Sequence, residues 1–469
     1  MNVTQFSLRR IVMVVALFGL SAAPSHATTI QRIVSPLGIE AWLVQEPTVP
    51  LISVDFAFGG GAVQDPAGKA GTAELMASLL DEGAGDLDAK AFEERLDRKA
   101  IEMGFIAERE TINGSLRTLA ENRDEAFDDL RLALTAPRFD SDAVEINRAQ
   151  VISMLRRQST SPTDVANQRW WATAFAGHPY GRSVDGTAES VPTITIDDLK
   201  AYAHRVLARD NLKVAIVGDI DADAAKAMLD HVFGALPAKA DLTPIANVVP
   251  RADGGVIRVN LDVPQTAVEF GGPGIARKDP DFMAGYIVNH ILGGGSFSSR
   301  LYRQVREKRG LVYSIYDSLL WLDHTAMFLG TTATRADRAD ETVALIQQEI
   351  HRMAESGPTP DELAKAKAYL DASFALNLDT STKIAAVLVQ EQLDGLPIDY
   401  IKQRSAMLNG VTIDDAKRVA KRLLDGGLLV TVVGQPEGVA SAATAAQPGA
   451  GRRVQPLAGP MTGGDAAFR

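Results

Sequence analysis

Two side chains that can donate hydrogen bonds to a substrate stand seven residues apart in the stretch Ser296–Leu319, which reads SFSSRLYRQVREKRGLVYSIYDSL. Arg306 lies in an arginine-rich run that is predicted to be helical over Ser299–Lys308, and Tyr313 lies in the strand predicted to follow. Gly310 is expected to end the helix. A guanidinium and a phenol aimed into one space can orient a carbonyl group and stabilise a developing oxyanion. The alternative is a solvated helix end, which the helix dipole favours, and a core tyrosine.

The elements that must position this pair are short strands and amphipathic helices. Residues 50–58 alternate, which places Ile52, Val54, Phe56 and Phe58 on one buried face of a strand. Hydrophobic spacing predicts a further strand within 39–46, a strand pair within 105–118 and a strand at 212–218. It predicts helices over Thr72–Leu80, Ala89–Met103, Ala126–Leu134, Asp142–Arg157 and Ile196–Leu207.

An internal repeat organises the chain. The segment that begins TIDDLKAYAHRVL at Thr195 matches the one that begins TIDDAKRVAKRLL at Thr412, and each continues into an apolar strand that ends in Val-Gly. Upstream, the helix that starts near Asp140 matches in pattern the helix that starts near Thr359. Order, spacing and element type are rarely preserved together by chance. The sequence therefore predicts a duplicated α+β domain, with mostly antiparallel sheets covered by helices.

The predicted boundaries follow from this repeat and from composition. They are a signal peptide over 1–27, an N-terminal domain over 28–236, a linker rich in Pro, Ala and polar residues over 237–255, a C-terminal domain over 256–439, and a disordered tail over 440–469. A chain of 469 residues is long enough for two such domains, each with its own core.

Charge and composition narrow the class of function. The formal net charge is -11, which argues against a nucleic-acid partner. The absence of cysteine excludes disulfides, thiolate zinc sites and cysteine nucleophiles. Arg9 and Arg10, the apolar run 11–20 and the small-residue site at 25–27 predict a cleaved secretory signal, since ten apolar residues are too few to span a bilayer. We therefore expect a periplasmic protein with no membrane anchor after cleavage.

In this order and spacing, several marks resemble the pitrilysin or insulinase-like zinc metallopeptidases, which include the mitochondrial processing peptidase. They are the duplicated domain, HPYGR at 178–182, GT at 186–187 and VPQT at 263–266. The resemblance covers roughly residues 30–437. It implies two homologous domains of the LuxS and processing-peptidase type.

The zinc motif of that family has been lost. Active members carry H-x-x-E-H on a helix of the first domain, where two histidines bind zinc and the glutamate activates water. In the matching helix, Glu74 takes the first histidine position, Ala77 the general base and Ser78 the second histidine. Met154, 76 residues after Ser78, stands where the third ligand is expected. These four residues cannot form that site, so we expect no metal or other cofactor in this chain.

The histidines offer no replacement site. Six lie beyond the predicted signal, and no two of them have metal-ligand spacing: His178, His204, His231, His290, His324 and His351. Each is interpreted as a surface or structural histidine.

The resemblance assigns a role to Arg306 and Tyr313, because the family carries an Arg and a Tyr seven residues apart in its second domain. There the pair binds the substrate carbonyl across from the zinc centre. The leading hypothesis is thus a non-zinc subunit of a heteromeric metalloendopeptidase that supplies Arg306 and Tyr313 in trans. Its partner would be a zinc-bearing H-x-x-E-H paralogue, and its substrates unfolded peptides. The alternative is an inert scaffold or a peptide-binding paralogue. An independent enzyme is disfavoured, since no G-x-S-x-G signature or paired-carboxylate arrangement stands out.

Overall fold

The computed structural model describes residues 29–435, so the predicted signal peptide and tail lie outside the described residues. The strands are β1 Ile30–Val34, β2 Glu40–Gln45, β3 Leu51–Gly59, β4 Gly83–Ala84, β5 Leu87–Asp88, β6 Glu102–Ala107, β7 Thr111–Leu119, β8 Leu212–Gly218, β9 Val256–Asn260, β10 Gln265–Pro273, β11 Val312–Leu322, β12 Thr325–Arg335 and β13 Leu429–Gly434. The α-helices are α1 Thr72–Ala77, α2 Ala89–Arg98, α3 Arg123–Thr135, α4 Ser141–Gln158, α5 Pro162–Ala174, α6 Ile196–Val206, α7 Ala222–Phe233, α8 Phe282–Asn289, α9 Ala339–Ser356, α10 Pro360–Leu376, α11 Ser381–Leu393, α12 Tyr400–Gly410 and α13 Ile413–Leu424.

Two mixed sheets form the frame. The first has the strand order β1-β2-β8-β3-β7-β6, and the second has the order β11-β12-β10-β13-β9. Each contains a single parallel pair, β2 with β8 and β13 with β9, and every other pair is antiparallel. The α+β fold with two mostly antiparallel, helix-covered sheets is therefore confirmed.

The repeat is visible in local chemistry as well as in topology. Thr195 and Thr412 each begin a helix with a capping box. In each box, the threonine hydroxyl oxygen accepts from the backbone N–H of the aspartate three residues later, and the carboxylate of that aspartate accepts from the threonine N–H. The two helices, α6 and α13, each lead to a buried strand, β8 and β13. In the first half the predicted alternation holds, since Ile52, Val54, Phe56 and Phe58 all point into one core.

A helix from each half covers the sheet of the other half. Helix α5 packs on β10 and β13 of the second sheet, and α11 packs on β3 and β8 of the first. The Trp170 indole N–H donates to the Leu429 carbonyl at 3.1 Å, and the Gln392 amide donates to the Val214 carbonyl at 2.9 Å. Gly271 is required under α5, because a Cβ there would lie 2.8 Å from the Trp170 ring. The second face of each sheet is thus buried by the opposite half.

Two local predictions need correction or comment. The predicted helix Ala89–Met103 was too long, since α2 ends at Arg98 and β6 begins at Glu102. Ala100 has a positive φ of 49°, a conformation that ends a helix and that hydrophobic periodicity does not register. Residues 237–255 contain no helix or strand.

Among the described residues, no helix is both long and apolar enough to cross a bilayer.

Replacing Trp170 by alanine tests whether α5 holds the first half against the second sheet. The indole is fully buried and its N–H is bonded, so Trp170→Ala is expected to lower the free energy of unfolding by about 3–5 kcal/mol. Guanidinium titration followed by far-UV circular dichroism measures the loss. The control is Val249→Ala, at an exposed position, which should change the same quantity by less than about 0.5 kcal/mol. Equal values for the two variants would contradict a holding role for α5.

Candidate functional site

Arg306 lies at the end of a short helix that differs from the predicted one in its winding. Residues 300–307 are helical, but Tyr302–Glu307 form π-type rather than α-type turns. Turns of the π type are rare in proteins as a whole, and those that do occur are often found at functional sites. Gly310 follows with a φ of 62°, a left-handed conformation that suits glycine and ends the helix as predicted. Strand β11 then begins two residues later.

A β-bulge presents Tyr313. Val312 pairs with Thr334 and Ile315 pairs with Thr332, so two residues of β11 stand opposite one residue of β12. The extra residue lets the Tyr313 and Ser314 side chains both face solvent, and Tyr313 is 89% exposed. Bulges re-aim side chains in this way and are common beside active sites. The bulge is a feature that sequence reasoning missed.

Arg306 is the free member of a group of four arginines. The Arg300 guanidinium is bonded to Glu362 at 2.7 Å, and Arg303 reaches the same carboxylate at 3.2 Å. Arg309 donates to the Gln304 carbonyl at 3.0 Å. The Arg306 guanidinium has no hydrogen bond or ion pair among residues 29–435, and it lies over the Tyr302 ring, 5.3 Å from the ring centroid. Its charge is therefore available to a ligand.

The glycine-rich segment before this helix has a packing reason. A Cβ at Gly293 would lie 2.5 Å from the carboxyl carbon of Asp317, so this segment closes directly onto β11. Complete burial raises the pKa of Asp317 well above its ordinary value. The glycines thus allow a close approach of backbone to strand, and Phe297 at the exposed end of the segment packs edge-on against Tyr302 at 5.1 Å.

The degenerate zinc motif lies in the other half. Glu74 and Ala77 are on α1, Ser78 is its C-terminal cap, and Met154 is on α4, which contacts α1. Ala77 is buried, the Ser78 hydroxyl donates to the Leu75 carbonyl at 3.2 Å, and Met154 packs partly against the core. Ala77, Ser78 and Met154 therefore take part in the local packing and bonding of the first half.

The residues present do not fit a zinc ion. Zinc needs three protein ligands from His, Cys, Asp or Glu, whereas the four positions supply one carboxylate. Over the whole of residues 29–435, no group of three such side chains has a geometry that could hold a metal ion. No catalytic step through a metal can be assigned to this chain.

Glu74 has acquired an environment that suits a neutral acid. Burial, with a smaller contribution from the nearby Asp185 carboxylate, raises the pKa of Glu74 to about 7. The backbone N–H of Ala107, at the end of β6, opposes that rise by donating to the carboxylate. Asp185 itself accepts a hydrogen bond from the Gln158 amide at 2.9 Å. The Glu74 carboxyl is thus held between α1 and β6, which is an edge strand of the first sheet.

The HPYGR motif joins the two halves, a role that the sequence did not reveal. The Tyr180 hydroxyl donates to Glu110 and accepts a hydrogen bond from the His324 N–H at 3.1 Å. The second oxygen of the Glu110 carboxylate accepts from the Asp323 N–H at 2.8 Å. Asp323 and His324 form the turn between β11 and β12. This joint fixes one end of the strand whose other end carries Tyr313.

Arg109 supports the same joint from the first half. Its guanidinium donates to the carbonyls of Tyr180 and Arg182 at 2.6 and 2.9 Å, and it stacks 3.8 Å over the Trp171 ring. Burial lowers the pKa of Arg109 to about 10, which still leaves it charged at neutral pH. Arg182 donates in turn to the carbonyls of Val63 and Asp65. The HPYGR motif therefore serves as a hydrogen-bonded connection between the two halves rather than as a catalytic site.

Comparison with known proteins places these features in a family context. The family model described as "Insulinase (Peptidase family M16)" matches residues 41–188, and the one described as "Peptidase M16 inactive domain" matches residues 193–370. The chain is 28% identical over 354 residues to the "Non-peptidase homolog YmxG" of Helicobacter pylori, which covers 75% of this chain and 81% of that protein. It is 24% identical to the "Probable mitochondrial-processing peptidase subunit beta" of Schizosaccharomyces pombe, over 92% of this chain and 96% of that one.

Solved structures give the same result for the fold. The structure described as a peptidase M16 inactive domain from Pseudomonas fluorescens superposes with a TM-score of 0.82 at 27% identity, over 87% of this chain and 98% of that one. A protease from Helicobacter pylori superposes with a TM-score of 0.79 at 21% identity, over 87% of this chain and 100% of that one, and so shares the fold.

The raised pKa of Glu74 predicts how stability depends on pH. The folded state keeps a proton up to about pH 7 that the unfolded state releases near its ordinary value of 4.5, so this group's contribution to stability falls as pH rises through that window. Glu74→Gln removes the titration. The difference in unfolding free energy between pH 5 and pH 8 is expected to shrink by about 1–3 kcal/mol.

Urea titrations at the two pH values measure this difference. The matched control is Glu189→Gln, an exposed acid that should leave the difference unchanged. An unaltered difference in Glu74→Gln would mean that this carboxyl titrates normally.

Proposed function

The chain belongs to the insulinase, or M16, family of peptidases, and from this premise we propose that it is the non-zinc subunit of a heteromeric metalloendopeptidase. In this proposal a separate paralogue with an intact H-x-x-E-H motif provides the metal and the general base. Arg306 and Tyr313 of this chain complete the partner's site in trans. The similarity of the second half to the family's inactive domain supports a subunit that works beside an active one.

The proposal rests on one observation, which is that Arg306 and Tyr313 do not use their side-chain hydrogen-bond donors within the described chain. Arg306 is the one arginine of its group that is left without a polar partner in the described chain, and Tyr313 is turned to solvent by a bulge. Apart from the position of Arg306 over the Tyr302 ring, neither side chain has a polar interaction within the described chain. Both arrangements leave hydrogen-bond donors ready for a ligand, because neither side chain has to break an internal bond before it binds.

The chemistry open to these donors is recognition of a peptide carbonyl. The guanidinium offers a charged, planar set of N–H groups, and the phenol offers one directional O–H. Aimed at the scissile carbonyl, both donors bind its oxygen more strongly as negative charge develops on that atom. Loss of one such donor costs a factor of about 10²–10³ in turnover in peptidases of other classes. In this proposal, this chain orients and polarises the scissile carbonyl, and the partner subunit carries out the proton transfers.

The substrates in this proposal are unfolded peptides that bind as an added strand. Backbone hydrogen bonds at a sheet edge supply affinity without demanding a fixed sequence. The net charge of -11 mildly favours basic peptides. With the predicted signal peptide, the place of action is the periplasm.

The second candidate function is an inert scaffold or a peptide-binding paralogue. It is favoured by the printed name of the Helicobacter pylori relative, a non-peptidase homologue. The free Arg306 and the bulge at Tyr313 favour the first candidate over it, since a scaffold needs neither.

Substitution of the pair separates the two candidates. In a complex purified with an H-x-x-E-H paralogue from the same source, Arg306→Ala and Tyr313→Phe are each expected to lower peptidase turnover by a factor of about 10²–10³. The complex itself should persist on size-exclusion chromatography, because neither side chain makes an internal hydrogen bond or ion pair in the described chain. Cleavage of a quenched fluorescent peptide measures turnover.

The control is Arg309→Ala, which removes an exposed arginine of the same helix end whose hydrogen bonds are internal. It should leave turnover within about twofold. Full activity in both Arg306→Ala and Tyr313→Phe would leave the scaffold candidate standing. Peptidase activity of the chain alone, abolished by a chelator, would overturn the subunit proposal.

A further inference from the structure

Two carboxyl groups accept hydrogen bonds that cross from one half of the chain to the other. Glu110, in the turn between β6 and β7 of the first half, accepts from the Asp323 N–H of the second half at 2.8 Å. Glu269, on β10 of the second half, accepts from the Asn167 amide of α5 at 3.0 Å. We call the contact at Glu110 the turn joint and the contact at Glu269 the α5 joint. Each joint therefore has a titratable acid at its centre.

The α5 joint surrounds its acid with uncharged partners. Glu269 is 3% exposed, and its second donor is the Thr331 hydroxyl on the neighbouring strand β12. The titratable group that faces it is the Tyr316 phenol on β11. No charged side chain of the described residues contributes to the pKa of Glu269, Asp164 of α5 included. A negative charge at this position would thus be buried without a counter-ion.

The turn joint has a more mixed environment. The charged and titratable groups around Glu110 are Arg109, His178, Tyr180, Asp323 and His324. Arg109 favours the ionised form of Glu110, and the nearby Asp323 carboxylate opposes it. The Arg109 guanidinium is already bonded to two backbone carbonyls. Both imidazoles are hydrogen-bonded through a ring nitrogen to the linker at residues 246–247.

Both acids keep a proton in the closed joint to an unusually high pH. Burial raises the pKa of Glu110 and of Glu269 to about 7, from an ordinary value of 4.5. Once a joint opens and its carboxyl is hydrated, that pKa returns toward 4.5. The proton therefore stabilises the closed joint fully below about pH 4.5, and this stabilisation is lost as the pH rises through 7. For each joint, the ratio of open to closed forms is about tenfold higher at pH 8 than at pH 6.

The two joints act on the same element, the β11–β12 hairpin. In the turn joint, the bonded N–H belongs to Asp323, in the turn that connects the two strands. In the α5 joint, Glu269 lies opposite Thr331 of β12, which in turn lies opposite Tyr316 of β11. The hairpin is thus held at its turn and near its middle by contacts that depend on a proton.

We propose that the two joints form a pH-sensitive switch, in which the β11–β12 hairpin is bonded to the first half in mildly acidic conditions and is released locally above neutral pH. The halves themselves stay together, because the hydrogen bonds of the Trp170 indole and the Gln392 amide do not titrate. Opening is therefore confined to the hairpin and to the side of α5 that faces it. The inference concerns this chain by itself and goes beyond the proposed function.

Hydrogen–deuterium exchange followed by mass spectrometry tests the switch in the full-length mature chain. Exchange is measured at pH 6 and pH 8, with exchange times scaled for the faster intrinsic exchange at the higher pH. In the wild type, amide protection in residues 162–174 of α5 and in residues 320–326 around the turn is expected to fall by about tenfold between the two pH values.

Single substitutions assign the fall to each acid. Glutamine keeps an acceptor oxygen but does not titrate. Glu110→Gln is expected to cancel the fall in residues 320–326 and leave it in α5, whereas Glu269→Gln is expected to do the reverse. The matched control is Glu74→Gln, which removes an acid of similar pKa whose partners all lie in the first half. It should leave the fall in both segments within about twofold of the wild-type value.

Equal protection of the wild type at the two pH values would overturn the proposal, and this comparison needs no variant to fold. A fall that persists around the turn in Glu110→Gln would assign the titration there to His178 or His324 instead and would also overturn it. So would a loss of the fall in both segments from either single substitution, since the joints are separate contacts. Circular dichroism and the thermal midpoint at pH 6, where both acids are mostly protonated, are expected to match between the variants and the wild type.

Discussion

The packing of each half's helix on the other half's sheet is the constraint on which the rest of the structure depends. A sheet with one face on its own helices still has a second face to bury, and here α5 and α11 bury it reciprocally. Trp170 carries much of this contact, with its ring under the second sheet and its N–H on a strand carbonyl. Because the halves cannot separate without exposing both sheets, β11 and the pair beside it are held in a fixed frame.

The four positions that match the family's zinc motif take part in the local packing and bonding of the first half. Ala77 and Met154 join the first core, and Ser78 satisfies its hydroxyl within its own helix. Glu74 keeps a titratable group but in surroundings that favour its neutral form. The first half thus retains what the fold needs, which is a sheet and the joint through Tyr180 to the β11–β12 turn.

The sequence predicted those features that are decided locally or by periodicity. The alternation from Ile52 to Phe58 and the capping residues Thr195 and Thr412 depend on neighbours within a few residues. The bulge at Tyr313 could not be predicted, since it is defined by the pairing of β11 with β12. The absence of a salt bridge at Arg306 could not be predicted either. Glu362, 56 residues after Arg306, pairs with Arg300 and Arg303 instead. Contacts of that range are fixed only by the assembled fold.

The two halves of the chain use their polar side chains differently. In the first, the residues at the positions of the family's zinc motif are buried, packed on the core or hydrogen-bonded within their own helix. In the second, the Arg306 guanidinium has no hydrogen bond or ion pair among residues 29–435, and Tyr313 is turned to solvent by the bulge in β11. This arrangement leaves two hydrogen-bond donors of the second half accessible to a ligand. It is consistent with a chain whose second half meets a ligand and whose first half holds those donors in place.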